Sequence, residues 1–226
     1  IRKFFNLFGL EVNRQKSDEL IKIIKGKGKI NFDVMFDIGA NTGQFSLDVR
    51  SKGYKGKIIS FEPLTLARKK LKKNSSKDPN WHVHDQAAVG DHNGFIEINI
   101  SKNSVSSSVL PMLNLHSEAE SKSVYVDKEK IPIVTLDEVA NLYINNRSNC
   151  FIKIDTQGYE SQVLDGAKKT LKQTNGIICE LSLVPLYKGQ MLWKEIIERL
   201  ENDGFILWSF EKAFVDIRDG RTLQID

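Results

Sequence analysis

The sequence predicts an α/β fold built on a mainly parallel sheet with helices on both faces. Short apolar runs alternate with helical patterns along the whole 226-residue chain. The runs are apolar throughout instead of alternating with polar residues, as expected of strands buried on both faces. The first run, Val34–Ile38, passes into Gly39-Ala40-Asn41-Thr42-Gly43 and then a helical pattern. That is a strand, a tight turn and a helix, with two glycines where a side chain would keep a ligand out.

The bulk composition agrees. Hydrophobic residues make up 40% and charged residues 27% of the chain, enough for a sizeable core in one domain. The balance of 33 basic to 29 acidic residues leaves a net charge of only +4. Its lysines cluster in short groups such as Arg68-Lys69-Lys70 and Lys72-Lys73, which read as a solvated helix face, so no nucleic-acid partner is expected. Cys150 and Cys179 lie at or within apolar runs without a disulfide framework, which suits buried free thiols in a reducing cytoplasm. No apolar run reaches the roughly 18 residues of a transmembrane helix. The chain starts at Ile1 and not Met, so an upstream segment is possible, and residues 1–10 have too short an apolar stretch for a clear signal peptide.

Residues 1–30 read as two short helices that cap the edge of the domain, with a membrane-surface or partner helix as the alternative. The domain itself takes residues 31–226. Val34–Ile38 is strand one, with its helix running to Lys52. Lys57–Phe61 is strand two, ending in Glu62-Pro63, and a basic helix follows over residues 64–74. Strand three is expected over 81–89, and the Gly90–Gly94 turn leads into a strand over 95–100. Residues 101–123, with Ser104, Ser106, Ser107 and Ser108, have no period and read as a mobile loop. Short strands follow at 124–126 and 131–134, and a helix from Thr135 to about 144. Cys150–Ile154 is a strand ending at Asp155, residues 158–171 a loop and helix, and 176–181 another strand that includes Glu180. A helix over 192–202 and closing strands at 205–210, 214–217 and 222–225 complete the chain.

In an open parallel sheet, ligands bind beyond the carboxyl ends of the strands. Here those ends carry Asp37, Glu62, Asp155 and Glu180. Such a row of like charges points to a polar or cationic ligand among them. The first turn lacks the G-x-G-x-x-G spacing of a dinucleotide fingerprint and the Lys-Ser/Thr of a phosphate-cradling loop. An acid before the turn suits a cationic or hydroxyl-bearing ligand, and Glu62 is placed to accept from both hydroxyls of a ribose. A nucleoside with a cationic tail is S-adenosylmethionine.

Several blocks in order resemble the FkbM family of S-adenosylmethionine-dependent methyltransferases. They are Phe36-Asp37-Ile38-Gly39-Ala40-Asn41-Thr42-Gly43, Phe61-Glu62-Pro63, Ala87-Ala88-Val89-Gly90-Asp91 with Gly94, Ser107-Ser108, Thr135-Leu136-Asp137, Ile152-Lys153-Ile154-Asp155-Thr156-Gln157-Gly158-Tyr159-Glu160, and Glu180 with Leu186-Tyr187. The resemblance spans about residues 33–226. It implies a Rossmann-like class I methyltransferase fold with a seven-stranded sheet whose last strand is antiparallel, and methyl transfer to an oxygen. It also implies that the turn bearing Gly39, Asn41, Thr42 and Gly43 meets the methionine part, that Glu62 beside Pro63 holds the ribose, and that Ala87, Ala88 and Val89 flank the adenine. Asp85 is an uncertain addition.

Asp155 is the leading catalytic residue, as a base for an acceptor hydroxyl, a role that needs its pKa raised by burial or by Glu180, with Lys153 orienting it or the acceptor. Alternatively Asp155, Glu160 and Glu180 share a divalent cation such as Mg²⁺. In a structural reading, Asp155 caps the next helix and Glu160 pairs with Lys153. Ser107, Ser108, Gln157, Glu160 and Tyr187 are the candidate contacts to a polyhydroxylated acceptor, and His116 is a weaker one. His82 and His84 share a strand face and read as structural. The expected activity is O-methylation of a sugar, glycan or other polar metabolite. The alternatives are an NAD-dependent oxidoreductase and a non-catalytic cofactor-binding module.

Overall fold

Val34–Ile38 is apolar except for one acid and buried at every position, and it forms the central strand β1. It is flanked by β2 (Lys57–Phe61) and β7 (Cys150–Ile154), with β3 (Trp81–Val83) and β8 (Thr174–Cys179) outside them. All pairs in this five-stranded sheet are parallel. The computed structural model describes residues 32–226, so the helical cap expected over 1–30 lies outside the described residues.

The remaining elements follow in chain order. Helix α1 (Gln44–Ser51) follows β1 and α2 (Thr65–Ser75) follows β2. Strand β4 (Ala88–Val89) pairs parallel with β6 (Tyr125–Val134), which pairs antiparallel with β5 (Gly94–Ser101). Helix α3 (Asn114–Ala119) lies between β5 and β6, and α4 (Leu136–Val139) follows β6. Helices α5 (Glu160–Asp165) and α6 (Lys168–Leu171) connect β7 to β8. Strand β9 (Leu181–Ser182), helix α7 (Trp193–Asn202), and strands β10 (Lys212–Val215) and β11 (Thr222–Ile225) complete the fold. The last three strands form an antiparallel sheet in the order β10-β11-β9.

The core lies on both faces of the parallel sheet, as the unbroken apolar strands predict. On one face Met35, Ile58 and Trp81 pack with Val49 of α1 and Leu71 of α2. On the other, Phe36, Ile59 and Ile152 pack with Val163 and Leu164 of α5, Leu171 of α6 and Ile196 of α7. Each of these side chains contributes about 1.5–3 kcal/mol through burial. Cys150 and Cys179 are buried free thiols within this framework. Among the described residues, no helix is long and apolar enough to cross a membrane.

Four stretches depart from the expected elements. Residues 81–89 do not form one strand: His84 N–H still reaches Ser60 O, but Arg68 and Gln86 then tie the chain to loops and β4 joins a different sheet. Residues 125–134 form one strand and not two, because Asp127, Lys128 and Lys130 face solvent, Glu129 meets Thr65, and their backbone pairs with β5. The stretch 101–123 contains α3 and a 3₁₀ turn at Ser121–Ser123, and its serines and asparagines bond to one another. Residues 205–210 form no strand.

Strand register sets the functional edge. Phe61, Ile38, Ile154 and Cys179 form one row across β2, β1, β7 and β8. One residue further on, Glu62, Gly39, Asp155 and Glu180 emerge together at the carboxyl edge. Asp37 sits one residue back and lies opposite Lys153 and Ser60.

Candidate active site

The two glycines of the first turn do different work. Gly39 has φ +74°, and a Cβ there would lie 1.8 Å from the Asp155 carbonyl oxygen. The turn therefore crosses directly over the end of β7, a passage that only glycine permits. Gly43, at φ +91°, is pressed against the Trp81 ring, 2.8 Å from an added Cβ. It admits the protein's own core, not a ligand, which corrects the expectation for that position. Gly43 and Thr42 lie outside the cavity lining, and Thr42 uses its N–H on the Asn41 side chain.

The turn leaves a cavity of about 360 Å³ at the sheet edge, in the range of small-molecule sites. Gly39, Asn41, Glu62, Pro63 and Ala87–Val89 line it, as do Lys153, Asp155 and Gln157. Glu62 is buried and held at both oxygens: Asn41 N–H donates to Oε2 at 2.7 Å and Leu64 N–H to Oε1 at 2.8 Å. A carboxylate offers about four lone pairs, so each oxygen keeps one acceptor position. Burial pushes its pKa up from 4.5 to about 7, against the two backbone donors and Lys153. Asp85 does not reach the cavity; it is fully exposed and faces Arg68 at 3.8 Å.

Lys153 is the cationic hub. Its Nζ donates to Gly39 O at 3.0 Å and lies 3.2 Å from Asp155 and 3.4 Å from Asp37. Burial works against its charge, but Asp155, Asp37 and Glu180 outweigh that and hold its pKa above the ordinary lysine value. Asp37 is fully buried, accepts from the Ser46 hydroxyl at 2.6 Å, and does not line the cavity. Its role is to hold Lys153 and α1 from beneath. Asp155, with a side chain 36% exposed, is the carboxylate of this group that faces the cavity.

Gln157 bridges the acids. Its Nε2 donates to Asp155 Oδ1 at 3.0 Å and to Glu180 Oε2 at 2.5 Å. Glu180 also accepts from Gln224 at 2.9 Å and stays behind the cavity wall. Its pKa is raised well above the usual carboxylate value, first by burial and then by the charges of Asp155, Glu160 and Asp226. Glu160 neither pairs with Lys153 nor faces the cavity. It accepts from Thr156 N–H at 2.9 Å and Gly158 N–H at 3.1 Å, closing the loop that carries Gln157, and burial lifts its pKa to about 7. The helix capping considered for Asp155 is not found: its carboxylate meets Gln157 and Lys153, and Glu160 closes the loop.

The divalent-cation arrangement is not found. Among the described residues, no cluster of His, Cys, Asp and Glu side chains is arranged to hold a metal ion. Between Asp155 and Glu180 the position of a cation is taken by the Gln157 amide, and Glu160 Oε1 is committed to backbone donors.

Of the candidate acceptor contacts, Gln157, Ser107 and Ser108 touch the cavity. Ser108 is buried and donates to Gln157 O at 2.6 Å, so it supports the loop. Tyr187 is buried behind the wall, with its hydroxyl 2.7 Å from Gln157 Oε1, and His116 stands behind Tyr187. Neither lines the cavity. His84 bonds Tyr143 at 2.6 Å and His82 packs on the same ring, and neither lines the cavity.

Further lining residues, Tyr159 apart, were not singled out from the sequence. Phe45 lies under the Lys153 ammonium at 5.9 Å, and Leu64, Ile98, Val109 and Tyr159 give the Ala87–Val89 side an apolar wall. Ser104, at φ +61°, comes over the first turn and accepts from Asn41 Nδ2 at 3.3 Å. The alternation of β5 already placed Ile98 on a buried face; nothing in sequence spacing brings Ser104 to Asn41.

A parallel-sheet α/β chain with a ligand cavity at its carboxyl edge and an acid at the second strand end has the build of a methyltransferase domain. Residues 37–207 match the methyltransferase FkbM domain, and the chain belongs to that family. It is 27% identical over 178 residues to the 2-O-methyltransferase NoeI of Sinorhizobium fredii (strain NBRC 101917 / NGR234), covering 74% of this chain and 70% of that protein. Among solved structures it is similar to the methyltransferase FkbM from Methylobacillus flagellatus KT, at 13% identity and a TM-score of 0.48, over 91% of this chain and 47% of that one. It is likewise similar to a methyltransferase of Listeria monocytogenes described as S-adenosylmethionine dependent, at 10% identity and a TM-score of 0.47, over 92% and 94% of the two chains.

Proposed function

We propose that this domain binds S-adenosylmethionine at the sheet edge and transfers its methyl group to a hydroxyl of a sugar, glycan or similar polar metabolite. The observation that carries the reading is Glu62. Two backbone N–H groups fix it at the end of β2, and its remaining acceptor positions suit the vicinal hydroxyls of a ribose. The apolar wall of Ala87–Val89, Ile98 and Tyr159 suits an adenine, and Gly39 and Asp155 suit the methionine end. The acidic edge favours a cationic ligand, which sets this reading above the NAD-dependent one; so does the absence of a third glycine in the turn.

The cofactor, when bound, supplies a methyl group on a positively charged sulfur that departs as a neutral thioether. The chain's own residues do the rest. Gln157 and Lys153 hold the Asp155 carboxylate toward the cavity. With the cofactor bound, Asp155 would take the proton of the acceptor hydroxyl as the cofactor supplied the methyl group to that oxygen. Positioning supplies much of the rate, because the leaving group is already good. Ser107 provides a polar contact for a hydroxylated acceptor. The relative named as a 2-O-methyltransferase supports oxygen as the methylated atom.

We further read β8 and β9 as one strand interrupted at Glu180. The sheet then runs β3-β2-β1-β7-β8/β9-β11-β10 with β11 antiparallel, the order of a seven-stranded class I methyltransferase. Calorimetry with S-adenosylmethionine and with NAD tests the cofactor: binding of NAD alone refutes the reading. Labelled S-adenosylmethionine with a panel of free sugars, nucleotide-sugars and lipid-linked glycans tests the acceptor. Cofactor binding without transfer to any of them favours a non-catalytic binding module.

A further inference from the structure

We infer that Tyr187 and His116, neither of which touches the cavity, are positioning residues that fix the polarity of the Gln157 amide and so hold Asp155 and Glu180 in place. The inference rests on the methyltransferase reading of the site for its consequence in turnover, though not for its geometry.

The argument starts from charge. Asp155 is partly exposed and lies 3.2 Å from the Lys153 ammonium, so it is a carboxylate that accepts and does not donate. The end of Gln157 that faces it at 3.0 Å must therefore be the NH₂. Its two hydrogens serve Asp155 and Glu180 together. The amide oxygen then faces Tyr187, 2.7 Å away, and the Tyr187 hydroxyl spends its one hydrogen there and not on the more distant Ser106 carbonyl at 3.3 Å. The Tyr187 oxygen can then only accept from His116 Nε2, 3.1 Å away, so that nitrogen carries the ring proton. Burial lowers the His116 pKa, which favours the neutral ring, and Nδ1 is then left to accept from the Ser123 hydroxyl at 3.0 Å. The Ser123 hydroxyl also lies 2.6 Å from the Glu120 carbonyl, which takes the Ser123 N–H at 2.9 Å, so the chain requires that hydroxyl to turn to Nδ1, and the tautomer of His116 reports whether it does. One direction of donation thus runs from Ser123 through His116, Tyr187 and Gln157 to the two acids.

The chain is built to stay put. Ser123, His116, Tyr187 and Gln157 are all buried. Gly158 leaves room for the Tyr187 ring, which would lie 3.0 Å from a Cβ at that position. The Tyr187 N–H is held by the Gln190 side chain and the Gln157 carbonyl by Ser108. Reversing the Gln157 amide would turn its oxygen onto two acids. The acids thus oppose that reversal from one end and Tyr187 from the other, where the protein offers Gln157 Oε1 no other hydrogen bond among the described residues.

Nuclear magnetic resonance of the protein labelled with ¹⁵N at histidine and glutamine tests this without an acceptor. The expected result is a neutral His116 with the proton on Nε2 and slowly exchanging Gln157 amide hydrogens. A proton on Nδ1 overturns the proposal, and this readout needs no variant. Tyr187→Phe and His116→Leu should each speed Gln157 amide exchange about tenfold, as loss of one buried hydrogen bond implies. His116→Gln, whose amide can still donate to Tyr187, should restore slow exchange. Unchanged exchange in Tyr187→Phe, or no difference between His116→Leu and His116→Gln, also overturns it. On a sugar that the wild type methylates, Tyr187→Phe should lower kcat about tenfold with KM for S-adenosylmethionine unchanged. An unchanged kcat removes the positioning role. A wild type that binds no S-adenosylmethionine refutes the methyltransferase reading instead, and leaves the tautomer measurement to decide the hydrogen-bond chain.

Discussion

Replacing Glu62 by Gln separates what this carboxylate costs the fold from what it does for a ligand. Burial raises its pKa from 4.5 to about 7, worth about 3 kcal/mol of preference for the protonated form without a ligand. The sign follows from linkage. The folded protein holds this proton more tightly than the unfolded chain does. The contribution to stability is therefore full below pH 4.5 and is lost as pH rises through about 7. A ribose needs the ionised form, so affinity for S-adenosylmethionine runs the other way. It should be near its plateau at about pH 8, fall about fivefold between pH 7 and 6, and approach tenfold per unit below that. The Gln variant loses the charge-assisted acceptors, and at about pH 8 it should bind ten- to a hundredfold more weakly, about 1.5–3 kcal/mol. Its residual binding should be flat with pH. Titration calorimetry from about pH 5.5 to 8, with parallel urea melts, reads both effects. Glu160 titrates in the same window, so the difference between wild type and variant is the quantity that reports Glu62. Wild-type affinity that is independent of pH, or a variant with unchanged affinity, refutes the reasoning.

Other substitutions probe the same edge. Gly39→Ala places a Cβ 1.8 Å from the Asp155 carbonyl at φ +74° and should lower the melting temperature sharply, by about 3 kcal/mol or more; a normal melting curve counts against the close crossing. Lys153→Met leaves Asp37 buried beside an apolar chain and should cost about 3–5 kcal/mol, measured by urea unfolding; the double variant Lys153→Met, Asp37→Asn should recover part of that loss. Asp155→Asn should keep S-adenosylmethionine binding and cut turnover by about a hundredfold or more; an intact rate removes Asp155 as the base. A chelator should leave turnover unchanged, since the Gln157 amide stands where a cation would need to bind; loss of activity restored by Mg²⁺ contradicts this.

The central parallel strands were legible because their signal is local. Val34–Ile38, Lys57–Phe61 and Cys150–Ile154 are apolar runs bounded by turns, and the structure places them at those bounds. The break at 84–87 and the ordering of 101–123 were not legible. Both depend on side-chain hydrogen bonds to distant loops, such as Arg68 to His84 O and Ser108 to Gln157 O. A polar stretch without period reads the same whether its serines face water or one another.

The candidate site divides along the same line. By itself the sequence determined which acids come to the carboxyl edge, since strand length and the residue after each strand are local matters, and it determined the family motifs. Only the tertiary structure decided which of those acids faces the cavity. Register sets Asp37 against Lys153 and buries it, the loop after β7 turns Glu160 back on its own backbone, and Gln157 draws Glu180 behind the wall. Four carboxylates cannot share one edge unscreened, so each needs a donor from another part of the chain. Those donors, Asn41 N–H, Lys153, Gln157 and Gln224, meet their acids only after the strands have paired.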